Sequence, residues 1–145
     1  MITTIEPVLE AKEEMLELVK LHHEEVNLFN QALNIDWESY AEAEATNNYI
    51  LFTLRNGSKL VGYSGFSVYN HSHHVDKLHA RLDILYVHPE IRGEGLQFMS
   101  DYEKMLKRLG VSYIHKSVPL QNDWGKILEF KGYDKLEITY VKELT

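Results

Sequence analysis

The sequence predicts one α/β domain in which a mixed sheet carries helices on both faces. Three observations predict it. Leu82 to Val87, LDILYV, is a short apolar run rich in β-formers, and Pro89 stops it. After Arg92-Gly93-Glu94-Gly95, the apolar residues Met99, Tyr102, Leu106 and Leu109 recur at spacings of three and four, the signature of one helix face. Asn56-Gly57, between two further strand-like runs, is a strong hairpin signal. Hairpin strands followed by strand-helix-strand units give a mixed sheet covered on both sides.

The elements follow in order. Ile2 to Glu6 alternates weakly and reads as a first strand, ended by Pro7. From Val8 to Asn30, Ala11, Met15, Leu18, His22, Val26 and Phe29 form one apolar stripe, so a long amphipathic helix is expected. Asp36 is placed to cap a second helix, Trp37 to Ala45. Tyr49 to Arg55 and Lys59 to Tyr69 read as the hairpin strands, and Asn70 to His79 as a polar loop holding four histidines. Gly110, after Lys107 and Arg108, is a natural stop for the central helix. Ser112 to Val118 reads as a buried strand. Asn122 or Asp123 caps a short helix from Trp124 to Lys131, and Gly132 closes it. Tyr133 to Lys142, with ITYV, reads as a last strand near the sheet edge.

Length and composition bound the function. The chain has 145 residues, the size of one domain, and 44% hydrophobic content, enough for a sizeable core. It has no cysteine, so disulfides, thiolate nucleophiles and cysteine metal sites are out. Its formal net charge of −7 disfavours nucleic acid as a partner. No apolar run is long enough to span a bilayer and no signal-peptide pattern follows Met1, so no membrane partner is expected and a cytoplasmic setting is.

The glycine loop carries the chemistry. A strand, a glycine loop and a helix N-terminus present free backbone N–H groups, with an arginine beside them, to a phosphate or pyrophosphate. A Walker loop needs a lysine and then Ser or Thr after its last glycine, where Leu96 and Gln97 stand. A dinucleotide loop needs a third glycine, where Phe98 stands. What remains is a strand ending in V-x-P-E-x-R-G-x-G. This segment resembles that of the GNAT superfamily of acyl-CoA-dependent N-acetyltransferases, and the element order extends the resemblance over nearly the whole chain. Glu90 departs from the usual Q/R at the head of the loop motif, and Gln97 replaces a frequent final glycine.

The resemblance implies a mixed, mostly antiparallel sheet with a central splayed strand. It implies acetyl-CoA as cosubstrate, with the pyrophosphate held by the loop from Arg92 through Gly93, Glu94, Gly95, Leu96 and Gln97. It also implies that unpaired amides at Leu85, Tyr86 and Val87 hold the pantetheine arm, and that Asn122, or Gln121 beside it, bonds the same arm. Many relatives place a tyrosine in the last short helix as general acid. Here Leu128 stands at that position, so Tyr133, Tyr86 or a water must serve.

For the base, Asp83 is an ionisable group in an apolar strand, where burial would raise its pKa. Arg81 shares its face by period-two alternation, so a structural Arg81–Asp83 pair competes with that role. His22 is the alternative base, against the reading of a satisfied core histidine. His71, His73, His74, Asp76 and His79 could suit zinc or nickel, or simply line the acceptor entrance. The expected function is transfer of an acetyl group to a primary amine, on a small molecule or a peptide. The rival from another class is an acyl-CoA-binding or protein-binding module on the same fold. The aromatic last strand leads us to expect a homodimer.

Overall fold

The computed structural model describes residues 1–26 and 31–145. Five strands form one sheet in chain order: β1 (Ile2–Ile5), β2 (Tyr49–Asn56), β3 (Lys59–His71), β4 (His74–Val87) and β5 (Val111–His115). The first four are antiparallel and β5 runs parallel to β4. Helix α1 (Val8–Val26) and helix α2 (Trp37–Ala45) cover one face, and α3 (Gly95–Arg108) and α4 (Gly125–Phe130) the other. The expected mixed sheet with helices on both faces is the observed fold.

Each face has its own core, and the sequence patterns explain both. On α1, Val8, Ala11, Met15 and Leu18 are buried against Leu51, Leu60, Tyr63 and Tyr86 of the sheet. On α3, Phe98, Met99, Tyr102 and Leu106 meet Phe52, Phe66, Val68 and Ala80. Fully burying one such side chain contributes ~1.5–3 kcal/mol, so these two clusters dominate stability. Asp36 caps α2 as expected, its Oδ1 accepting from the Ser39 N–H at 3.0 Å. Gly110 and Gly132 end their helices at φ +93° and +92°, a conformation that costs glycine nothing.

Four expectations change. The stretch from Asn70 to His79 is a second hairpin, not a loop: β3 runs on to His71 and β4 starts at His74. His71, His74 and His79 therefore sit on paired strands and His73 in the turn between them; the His79 ring stacks on His115 of β5 and lies tilted against His71. Strand β5 stops at His115, three residues before the expected end. Residues 133–142 form no strand, and Leu136, Ile138, Tyr140, Val141 and Leu144 are 75–88% exposed. Propensity for strand is not enough without a neighbouring strand to bond. Leu109 closes α3 half exposed rather than on its apolar face. The expected continuation of α1 through Phe29 to Asn30 lies outside the described residues.

Candidate active site

The site is built around an irregularity in β4. Gly65 of β3 pairs with Ile84, but Phe66 pairs with Leu82, so Asp83 is an extra residue without a partner across the ladder. A bulge of this kind turns a side chain to a face that alternation would deny it. Leu82 packs on the α3 side while Ile84 packs on the α1 side. Asp83 joins Ile84 on the α1–α2 side, where its Oδ2 accepts from the Tyr40 hydroxyl at 2.8 Å and the Tyr49 hydroxyl at 2.9 Å. Two premises of the sequence reading fall here. Asp83 is exposed, not buried. It makes no ion pair with Arg81, whose guanidinium lies 3.6 Å from Glu137 instead.

Burial, and then the Asp83 charge, push the Tyr40 and Tyr49 phenols up, so both remain hydrogen-bond donors across the working range. Gly65 makes this possible. A Cβ at that position would fall inside the Tyr49 hydroxyl and lie 3.0 Å from Ile84. Gly65→Ala should therefore cost ~1–3 kcal/mol of stability, the scale of overpacking. Urea unfolding measures that loss, and a variant as stable as the parent would show that Tyr49 can move aside freely.

Beside these tyrosines lies an apolar cavity of about 190 Å³. His22 of α1, Trp37 and Tyr40 of α2, and Tyr49, Tyr63 and Ile84 of the sheet line it. The His22 ring stacks on Tyr86 at 4.9 Å, and its Nδ1 lies 2.8 Å from the Tyr63 hydroxyl. Burial lowers the His22 pKa against the pull of Glu25, so the imidazole is neutral at pH 7. Thus His22 is neither a plain core residue nor unattached to the site.

The glycine loop folds into a short 3-10 turn from Pro89 to Glu94, leading straight into α3. The α3 N-terminus has no side-chain cap, and a Cβ added at Gly93 or Gly95 would meet nothing within 4 Å. An uncapped helix start with open space before it suits a phosphate group. One loop amide is already taken, because the Gly95 N–H donates to the Arg92 carbonyl. Glu94 is exposed beside it, Leu96 is exposed, and Gln97 donates to Asp101 within α3. Arg92 is committed elsewhere: its guanidinium donates to both Glu25 oxygens at 2.7 and 2.9 Å and to the Val87 carbonyl. Tyr86 donates to the same Glu25 carboxylate. Burial works against the Glu25 charge, but these donors outweigh it and hold the group below the usual range.

Strand β4 also parts from β5. Their pairing ends at Arg81 opposite His115, and from Leu82 to Val87 β4 is bonded to β3 alone. Leu85, Tyr86 and Val87 therefore lie on a segment with one open side, as an extended pantetheine arm requires. Asn122 sits exposed in the turn after β5. Leu128, at the position of the family tyrosine, is buried in the α3-side core. Tyr133 donates to Glu103 Oε1 at 2.7 Å. Lys116 lies over the Tyr133 ring at 4.8 Å and bonds Tyr102 at 2.7 Å. Burial pushes the Lys116 ammonium down to about 8, against the attraction of Glu103. Among the described residues, no group of three or more His, Asp or Glu is placed to hold a metal ion.

The sequence profile of the acetyltransferase (GNAT) family matches residues 12–122. The chain belongs to this family. Solved structures agree on the fold. An aminoglycoside acetyltransferase from an uncultured soil metagenomic sample superposes with a TM-score of 0.76 at 14% identity, over 99% of this chain and 96% of that one. Ribosomal-protein-alanine N-acetyltransferase from Brucella melitensis biovar Abortus 2308 gives 0.74 at 16% identity, over 99% and 100%. A GNAT family acetyltransferase from Staphylococcus aureus gives 0.69 at 20% identity, over 99% and 98%. No curated protein matches the chain.

Within this GNAT domain, sequence reasoning singled out Asp83 and the loop but not the residues that the structure places against them, Tyr40, Tyr49, Gly65 and Glu25. Tyr40 falls within the second helix, and Tyr49 and Gly65 within the hairpin strands. An isolated glycine inside a strand pattern was the available signal, since it marks a bulge or a close approach.

Proposed function

We propose that this chain is an N-acetyltransferase that moves the acetyl group of acetyl-CoA to a primary amine of a small molecule or peptide. The observation that carries the reading is the juxtaposition of three parts on β4. An exposed carboxylate is held by two phenols, an apolar cavity opens beside it, and a one-sided strand segment follows it toward an open helix N-terminus. Acetyl-CoA, as cosubstrate, supplies the activated acyl group. Leu85, Tyr86 and Val87 offer backbone groups to its arm, Asn122 a side-chain amide, and Gly93, Glu94, Gly95, Leu96 and Gln97 the loop and helix start for its pyrophosphate, with Arg92 adding charge. Asp83 takes the proton of the incoming ammonium. Tyr133 is the proposed donor of a proton to the departing sulfur, for which its O–H must turn away from Glu103 Oε1. The cosubstrate and the absence of cysteine support a cytoplasmic setting.

A panel of amines with acetyl-CoA, followed by thiol release, tests this. Turnover of any primary amine is the expected result. Leu128 favours a second reading, because a buried leucine cannot protonate a thiolate. On that reading the domain binds acyl-CoA or a protein without turnover, and CoA binding with no thiol release from any amine would establish it.

The homodimer proposal rests on the tail. Strand β5 lies at the sheet edge, and the tail after Tyr133 leaves it uncovered. The Glu137–Arg81 ion pair anchors the start of that tail beside β4. Five large exposed apolar side chains, at ~1.5–3 kcal/mol each when buried, favour pairing the tail of one copy with β5 of another. Light scattering at tens of micromolar, on the order of Kd values for weak assemblies, should give a dimer mass. Removing residues 135–145 should return a monomer, and a monomeric full chain overturns the proposal.

A further inference from the structure

We infer that the acceptor is a primary amine carried on a flat apolar body the size of a benzene ring with a short chain. This rests on the acetyl-transfer reading above and names its substrate class. The cavity holds about 190 Å³. An apolar cavity of roughly 150 Å³ takes a benzene-sized guest and stays dry without one. Its walls are mostly apolar or aromatic, with Val19, Trp37, Tyr49 and Ile84 among them, and its two histidines, His22 and His23, each have a ring nitrogen already bonded, His23 Nε2 to the Gln31 carbonyl. The O–H donors of Tyr40 and Tyr49 do not offer themselves to a guest, because both are spent on Asp83 Oδ2. The Tyr63 hydroxyl meets His22 Nδ1. A sugar-like or polyhydroxylated acceptor would thus leave its own hydroxyls unpaired inside, which costs more than the burial returns.

The charged end has one place to go. Asp83 adjoins the cavity through the two tyrosines, and its Oδ1 takes neither phenol bond. An ammonium at that oxygen meets a carboxylate and aromatic neighbours that attract cations. The same position lies along β4 from Leu85, on the segment open toward the cosubstrate arm. The ammonium gives one proton to Asp83. The freed nitrogen pair forms a C–N bond at the acetyl carbonyl carbon and the C–S bond breaks; the sulfur takes a proton from Tyr133 and leaves as CoA thiol, and the second proton shed by the nitrogen as it becomes an amide restores that of Tyr133. The proton on Asp83 returns to water.

The test is a matched series of amines with acetyl-CoA: 2-phenylethylamine, ethanolamine, spermidine and a lysine-containing pentapeptide. The expected kcat/KM for 2-phenylethylamine exceeds that for ethanolamine by about 100-fold or more, since each buried methylene is worth ~0.8 kcal/mol. Filling the cavity with Val19→Phe should cut that preference roughly tenfold. Val19→Leu gives the same readout at smaller size if the larger variant fails to fold. Turnover of spermidine, the peptide or ethanolamine ahead of 2-phenylethylamine overturns this inference and leaves acetyl transfer standing. If no amine is turned over, acetyl transfer itself fails. Calorimetry of 2-phenylethylamine then decides the cavity: heat of binding upholds the ligand class, and none overturns it.

Discussion

Asp83→Asn should lower kcat by roughly 10²–10⁴, the share that a general base supplies, while leaving the domain folded. Asparagine keeps an oxygen for the Tyr40 and Tyr49 hydroxyls, so their bonds survive with less charge behind them. No guanidinium is stranded, because Arg81 is held by Glu137. Stability should fall by no more than ~1–2 kcal/mol, the difference between a charged and a neutral acceptor. Melting temperature and kcat measured on one sample settle the matter. A folded variant with parental kcat would remove Asp83 from the chemistry and pass the role to His22, the neutral imidazole on the cavity wall.

Gly93→Val should raise the Kd for CoA by more than about 100-fold, the equivalent of losing two hydrogen bonds to a charged group. The fold should not notice. Gly93 is exposed, open space surrounds its missing side chain, and its φ is not among the positive values. The valine methyls would occupy the room in front of the α3 N-terminus where a phosphate must come close. Calorimetry with CoA is the measurement, and parental affinity would move the pyrophosphate elsewhere. Arg92→Ala should weaken the same binding by less than the ~1.5–3 kcal/mol of a direct bond to a charged group, because Glu25 already holds the guanidinium and only its charge is lost to the site.

Local signals were strong where the chain punctuates itself. Asp36, Gly110, Gly132 and the Asn56–Gly57 turn each act through neighbours a few residues away, so their meaning could be read directly. The helical stripes of α1 and α3 were equally plain, because each stripe is a set of apolar side chains repeated at one period. The site was harder, since its parts meet only after folding. Tyr40, Tyr49 and Asp83 come from a helix and two strands, and the longest separation among them is 43 residues. Nothing local marks them as partners. The same holds for Glu25 and Arg92, which are 67 residues apart. The tail misled for a related reason. Its residues have the composition of a strand, but a strand exists only when another backbone completes it, and that is not a property of the segment.

The extra residue in β4 has a consequence for insertions and deletions. Before Asp83, the even-numbered residues Leu78, Ala80 and Leu82 face the α3 core; after it, the odd-numbered Leu85 and Val87 do. The strand thus behaves as two segments of opposite parity joined at one residue. Substitutions within either segment change one side chain at a time. Deleting Asp83 alone would close the bulge into a regular ladder, with Leu82 and Leu85 still facing the α3 core; deleting one residue inside either segment would instead turn over the stretch beside it. Between Leu82 and Ile84, then, the fold should survive the loss of one residue, and what goes with it is the carboxylate that the two phenols hold.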